Sequence, residues 1–223
     1  MLGSAAQNVV ALSDSVFLYH LSEADFAAIG FVGVFYLVVA AIGFGFSKGG
    51  QIMIARRMGE GKKEEVGRTF YAMTYYEFGL SIILFLFMQY GCYYFFSLFV
   101  NSEVILQKSL EYLDYRSYGV FFSYVGVAII ALYTGVARTS FIIIDTAILA
   151  IVNIALNYGL IYGKWGLPAM GIAGAGLAST IAEVVAFVVF MVYIYFDQEA
   201  RDYKLFNLPK IDLKLIQKQF NLA

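Results

Sequence analysis

Residues 26–46 read FAAIGFVGVFYLVVAAIGFGF, from Phe26 to Phe46, without one charged side chain. Wound as an α-helix at about 1.5 Å per residue, twenty or so such residues cross the roughly 30 Å hydrocarbon layer of a bilayer. The run is continuous rather than alternating, so it does not read as a strand of a membrane barrel. The rest of the chain supports the same solvent. Hydrophobic residues make up 61% of the 223 and charged ones 14%, against about a quarter charged in soluble domains. Five further apolar stretches qualify as spans: Met1 to about His20, about Thr69 to Val100, about Tyr112 to Val136, about Phe141 to Gly163, and about Gly171 to Phe196. The prediction is an all-α membrane protein, a six-transmembrane-helix bundle over 1–196, followed by a polar amphipathic tail over 197–223. Two prolines suit long helices, and 21 glycines suit helices that pack closely in lipid.

Orientation follows from the basic residues. Twelve of the fifteen fall on one side: Lys48, Arg56, Arg57, Lys62, Lys63 and Arg68 between the second and third spans, Arg138 between the fourth and fifth, and Arg201, Lys204, Lys210, Lys214 and Lys218 in the tail. Lys108, Arg116 and Lys164 fall on the other side. Both termini are therefore expected in the cytoplasm. Met1 opens directly into helix-like sequence, so no cleavable signal peptide is expected. The single Cys92 excludes an intrachain disulfide, and the net charge of −1 gives no reason for a nucleic-acid partner.

Ionisable groups inside a bilayer are costly and mark pathways or binding sites. The first helix carries Asp14, the third Glu77, the fifth Asp145 and the sixth Glu183. Counting helical rise, Asp14 and Asn157 lie about 9 Å below the outer surface, Asn153 about 15 Å and Ser179 and Thr180 about 12–14 Å. Asn153 and Asn157 share a helix face at i and i+4. A carboxylate among amide and hydroxyl oxygens is the ligand set of a hard cation such as Na⁺, and equally a protonation site if shielded from water. Asp14, Asn153, Asn157, Ser179 and Thr180 are therefore the candidates for cation or proton coupling. For the two asparagines an interhelical hydrogen bond is the alternative reading. Glu77 and Glu183, with Gln7, are candidates for the wall of a substrate cavity or, alternatively, buried protonated packing groups. Asp145, nearer the basic side, reads as solvated. Gly171-Ile-Ala-Gly174-Ala-Gly176 follows no strand, so it reads as a close helix-packing face rather than a phosphate loop. One histidine, His20, cannot serve a catalytic triad without nearby partners. No metal cluster is visible, so neither an enzyme nor a cofactor is expected.

Several stretches carry a family resemblance. The first helix has Leu2-Gly3-Ser4 and then Ala11-Leu12-Ser13-Asp14-Ser15-Val16-Phe17, and the second opens with Ala27-Ala28-Ile29-Gly30. The second helix exits through Gly49-Gly50-Gln51-Ile52-Met53-Ile54-Ala55-Arg56-Arg57-Met58-Gly59-Glu60-Gly61. The most specific block runs from Asn153-Ile-Ala-Leu-Asn157 through Gly163, then Gly166-Leu-Pro168-Ala-Met-Gly171-Ile-Ala-Gly174-Ala175, to Ala178-Ser179. Over roughly Leu2 to Phe196 the chain resembles the amino-terminal half of multidrug and toxic compound extrusion (MATE) transporters.

The resemblance implies one lobe of a twelve-helix antiporter, two six-helix lobes flanking a central cleft. H⁺ or Na⁺ entry would drive export of small cationic amphipathic compounds across the plasma (bacterial inner) membrane. Relatives with a well-formed amino-lobe site use a first-helix Asp, a fifth-helix Asn-x-x-x-Asp and a sixth-helix Thr. Asp14, Asn153 and Ser179 or Thr180 match, whereas Asn157 replaces the second acid and weakens a cation site. A lipid-linked-sugar flippase is one alternative, which would want a more basic cavity. A non-transporting assembly subunit is another. Leu213, Ile216 and Phe220, at helical spacing, read as the apolar face of a linker toward a seventh span, so the chain is expected to be a fragment. The second lobe, as the missing half or a second copy, is the expected partner. Without it Asp14, Asn153, Asn157 and Glu183 are expected to face lipid.

Overall fold

The computed structural model describes residues 2–222. All six expected segments are helices. Helix α1 (Leu2–Tyr19) ends at a two-residue turn, and Ser22 caps α2 by accepting a hydrogen bond from the Asp25 backbone N–H at 3.1 Å. Helix α2 (Glu23–Gly59) has 37 residues, about 55 Å at helical rise, and so runs well beyond the expected end at Phe46. Its glycines let neighbouring helices pack closely along this extension. A Cβ on Gly43 would lie 3.1 Å from the Tyr124 ring, and one on Gly50 would lie 2.4 Å from the Met73 sulfur. They are the points where the helices that carry Met73 and Tyr124 press against α2.

Helix α3 (Val66–Leu86) passes through a π-helical turn at Phe87–Gly91 into α4 (Cys92–Ser97), forming one long span. The fourth span differs from expectation. It begins earlier, as α5 (Glu103–Arg116) capped by Ser102, and bends by 58° into α6 (Gly119–Gly135). Helix α7 (Ser140–Tyr162) stops at Gly163, whose positive φ of 67° gives the left-handed cap that glycine adopts without strain. Helix α8 (Ile172–Phe196) presents the predicted close-packing face. A Cβ on Gly174 would sit 2.7 Å from the Leu160 carbonyl oxygen, and one on Gly176 would sit 2.4 Å from that of Tyr112.

Among the described residues, four helical spans are long and apolar enough to cross a membrane, and the bent α5–α6 pair makes a fifth if taken as one span. Helix α1, 18 residues with Gln7, Asn8, Ser13, Asp14 and Ser15, is the more polar sixth and packs against α7, α2 and α8. Apolar packing is concentrated in two clusters. One, around Leu18, Val32, Phe96, Leu113 and Ile161, fills the end where α1 meets α2 and α7 meets α8. The other, around Ile54, Phe70, Leu132, Phe190 and Tyr203, fills the end that carries most of the basic residues. Asp14, Asn153, Asn157, Ser179, Arg116 and Glu183 form a buried polar band within the bundle, while Asp25, Thr69, Asp197 and Gln219 are buried near its helix ends.

After α8 the chain forms α9 (Glu199–Asp202), an extended stretch, and α10 (Leu213–Phe220). It folds back on the bundle rather than leaving it. Gln219 donates to the Thr69 carbonyl at 2.8 Å, Tyr75 donates to that of Pro209 at 3.0 Å, and Arg68 pairs with Asp212 at 2.5 Å. The inward face of α10 is Leu215 and Gln219, whereas Leu213 and Phe220 are 74% and 62% exposed. Of the stripe expected from spacing, Ile216 packs against the bundle while Leu213 and Phe220 turn outward, and the polar Gln219 takes an inward place by donating to the Thr69 carbonyl.

Candidate functional site

Helices α1, α5, α7 and α8 converge on the carboxylate of Asp14, which is fully buried. Asn153 and Asn157, one turn apart on α7, each direct an amide N–H to its Oδ1, at 3.1 and 2.8 Å. The Ser179 hydroxyl of α8 donates to Oδ2 at 2.8 Å, and the Tyr112 hydroxyl of α5 donates to the same oxygen at 2.9 Å. Four neutral donors thus surround one acid, and no ion pair holds it among the described residues. Asn153 also donates to Ser179 at 3.0 Å, which ties α7 to α8. The Asn157 Oδ1 is buried without a partner.

Three of the residues placed with Asp14 by depth counting, Asn153, Asn157 and Ser179, touch it. Thr180 does not. Its hydroxyl donates to the Tyr115 carbonyl at 2.8 Å, because residue 180 is turned about 100° from 179 on the helix, toward α5. Tyr112 is the member that sequence reading missed, since it stands at the edge of a segment taken for a loop.

One turn further along the same helices lies a second cluster. Arg116 follows Tyr112 on α5, and Glu183 follows Ser179 on α8. They pair bidentately, Nη1 to Oε2 at 2.7 Å and Nη2 to Oε1 at 2.6 Å, with both side chains at most 2% exposed. Gln7, two turns before Asp14 on α1, donates to Glu183 Oε1 at 3.1 Å. The guanidinium carbon lies 3.9 Å from the centroid of the Tyr36 ring, a cation–π stack. A methyl at Gly119 would fall 2.3 Å from Arg116 Nη1 and 2.4 Å from Glu183 Oε2, so the first residue of α6 is glycine where the span bends around this pair. Arg116, counted above among the loop cations, is instead a buried one. Glu183 is correspondingly an ion-pair member rather than a lone packing acid, and with Gln7 it still borders a small cleft.

Glu77 lies apart from both clusters. Ser47 of α2 donates to its Oε1 at 2.7 Å, while its Oε2 is buried without a partner. It packs near Tyr124 and Gly43, outside the cleft that Gln7 and Glu183 border. Asp145, expected to be solvated, is 5% exposed, because α6 and α8 pack over the first turns of α7. The polar face expected to meet lipid is enclosed within the lobe: Asp14, Asn153 and Asn157 are 0% exposed and Glu183 is 3% exposed.

The fold and this polar band define a helical membrane protein whose interior is built around partly uncompensated carboxylates. The MatE family model matches residues 1–159, and the chain belongs to that family. Among curated proteins it is 27% identical over 230 residues to the Pasteurella multocida "Probable multidrug resistance protein NorM", covering 100% of this chain and 48% of that one. It is 30% identical over 208 residues to the protein so described in Synechocystis, covering 91% and 44%. The chain spans about half the length of the curated relatives it matches. Among solved structures, a MOP superfamily transporter from Pyrococcus furiosus aligns over 100% of this chain and 48% of its own at a TM-score of 0.82 and 18% identity. A structure described as the inward-facing conformation of a multidrug resistance MATE family transporter aligns at a TM-score of 0.83 and 17% identity, covering 97% and 48%. These two likenesses support the fold.

Proposed function

We infer that this chain is one lobe of a secondary antiporter that exports cationic amphipathic compounds in exchange for H⁺ or Na⁺, with Asp14 as the coupling carboxylate. The observation that carries the reading is the Asp14 node, a buried acid ringed by four neutral donors on three neighbouring helices and lacking a fixed counter-cation. Family membership and relatives described as multidrug resistance proteins support it.

The node responds to a proton or a cation through its geometry. An ionised Asp14 accepts all four donors. When protonated it must donate one hydrogen bond, and only Oδ2 has partners that can turn to accept, the Ser179 and Tyr112 hydroxyls. Amide N–H groups cannot reverse without flipping the whole amide. A Na⁺ ion would instead recruit the free Asn157 Oδ1 and the Ser13 and Ser179 hydroxyl oxygens. Either event changes the bonds between α1, α5, α7 and α8, which is how an ion could bias the packing of the lobe. The internal cation Arg116 is neutralised by Glu183, so the interior does not become the basic cavity that a lipid-linked-sugar flippase would want.

A second six-helix lobe completes the central cleft in this reading, and the end rich in basic residues faces the cytoplasm. Proteoliposomes carrying the chain with a second lobe should release ethidium when a pH or Na⁺ gradient is imposed. Efflux independent of any gradient, or none, overturns the antiporter reading. For orientation, a maleimide applied from the cytoplasmic side should label a cysteine placed by Lys62→Cys and leave one placed by Lys164→Cys untouched. Labelling of both from one side contradicts the arrangement.

A further inference from the structure

We propose that a groove between α3 and the tail, at the basic end of the bundle, binds one anionic phospholipid, with an acyl chain in the groove and the phosphate against Lys210 and Lys214. The inference rests on the bundle lying in a membrane and not on the antiport reading. The groove holds about 360 Å³, within the range of about 300–1,000 Å³ typical of small-molecule sites. One side is the face of α3 from Tyr75 to Ile83, and the other is Ile211, Leu213 and Ile216 of the tail. Eight residues of helix rise about 12 Å, so the groove climbs from the tail into the apolar length of the span.

The tail forms a fixed lip. Tyr75 donates to the Pro209 carbonyl, Arg68 pairs with Asp212, and Gln219 donates to the Thr69 carbonyl, so the stretch is tied to α3 at both its ends and between them. What this latched stretch leaves outside is apolar. Leu208, Ile211 and Leu213 are 75%, 63% and 74% exposed. Bulky aliphatic side chains turned outward at the foot of a membrane span are satisfied by contact with the bilayer.

Charge selects the kind of lipid. Lys210 and Lys214 flank Ile211 and Leu213 in sequence, Lys218 follows one turn later on α10, and all three lysines are exposed. The acids of the tail are engaged elsewhere, Asp212 with Arg68, and Asp197 and Glu199 with Arg138. No ion pair reaches Lys210, Lys214 or Lys218 among the described residues. Unpaired lysines interleaved with apolar side chains at a membrane surface are the pattern that anionic headgroups attract. A zwitterionic lipid would fill the groove and leave the lysines uncompensated. A protein surface laid over the groove would have to desolvate them or bring acids of its own, whereas headgroups meet them with water still present.

The test uses the 223-residue chain in phosphatidylcholine nanodiscs, doped with phosphatidylglycerol or phosphatidylcholine that carries a photoreactive diazirine on one acyl chain. Adducts are located by peptide mapping. Phosphatidylglycerol should label the α3 and tail sides of the groove well above the phosphatidylcholine probe, whereas Val188 of α8, 50% exposed, should be labelled equally by both. Lys210→Gln with Lys214→Gln should lower the preference for phosphatidylglycerol by roughly fivefold per lysine and leave phosphatidylcholine labelling unchanged. Gly79→Phe should reduce groove labelling by both probes. Gly79 lines the groove and a Cβ there meets nothing within 4 Å, so the ring fills the groove without displacing its walls. Equal labelling by the two probes, a preference that survives loss of both lysines, or undiminished labelling in Gly79→Phe overturns the proposal. Loss of groove labelling when a second lobe is supplied also overturns it, because the face would then be an inter-lobe surface. Each of these failures leaves gradient-driven efflux, and so the antiport reading, untouched.

Discussion

Asp14 and Glu183 are two buried carboxylates held by the same helices, α1, α5 and α8, one turn apart on α5 and α8, and they are satisfied in opposite ways. Glu183 has a full counter-charge, the bidentate Arg116 guanidinium, and Gln7 completes its shell. Asp14 has only amides and hydroxyls. A carboxylate locked to a guanidinium has little reason to exchange its partner for a proton or Na⁺, because doing so strands the arginine. A carboxylate held by neutral donors can take a proton or a metal ion and return it, since hydroxyls turn and amides flip at modest cost. In the proposed antiport reading the difference separates a structural post from an exchange site, although both lie in the same polar band of the same bundle.

The largest effect should come from breaking the post. Arg116→Met leaves Glu183 buried and unpaired, and should lower unfolding stability in detergent by about 3–5 kcal/mol. The double variant Arg116→Met with Glu183→Leu removes both charges and should recover most of that loss. If the single and double variants were equally unstable, the ion pair would not be what makes the site fragile. A smaller effect should follow from Gly119→Ala. It places a methyl against Nη1 of Arg116 and Oε2 of Glu183 and should cost about 1–3 kcal/mol, as overpacking does, read as a lower melting temperature. No loss would mean that the bend of α5 into α6 can open to admit a side chain.

The smallest effect concerns the tail, a surface contrast to both buried acids. Asp212 accepts from the Leu215 backbone N–H and from Arg68, and these bonds hold its carboxyl below its ordinary value of 3.8. A depressed carboxylate stabilises the folded form above its ordinary pKa, and the contribution is lost as the pH falls through the lower folded value. Protection of the α10 amides, taken as exchange relative to the intrinsic rate at each pH, should therefore hold down to about pH 4 and fall only below it. Protection already lost near neutral pH would show that the Asp212 cap does not hold α10.

Much of this arrangement can be read from residue order. Continuous apolar runs such as 26–46 report spans because a helix in lipid must be apolar all round wherever it meets hydrocarbon. Asp14, Asn153, Asn157 and Ser179 could be grouped by counting rise, since regular helices convert sequence distance into depth. Arg116 escaped that reading because it stands near the outer end of the expected fourth span, just after Glu103, Lys108, Glu111 and Asp114, and was counted with the cations of that side. The signal was nevertheless present. Leu106, Ser109, Leu113 and Arg116 repeat at 3, 4 and 3, the stripe of a packed helix, and all four are buried. Asp145 is a different case. Two turns from Asn153, it could have been buried or wet, and only the packing of α6 and α8 around it decides. The inward turn of Gln219 is likewise invisible in a hydrophobic stripe, because it depends on a contact with the Thr69 carbonyl of another helix.

The central claim is that exchange occurs at Asp14 and not at the ion pair beside it. Gradient-driven ethidium efflux should be measured in proteoliposomes holding the chain with a second lobe, comparing Asp14→Asn with the Arg116→Met, Glu183→Leu double variant. The account predicts that Asp14→Asn inserts and folds yet loses gradient-driven efflux altogether, while the double variant keeps its dependence on the imposed H⁺ or Na⁺ gradient. Wild-type efflux and gradient dependence in Asp14→Asn, with coupling lost in the double variant, would contradict it and move the exchange site to Glu183.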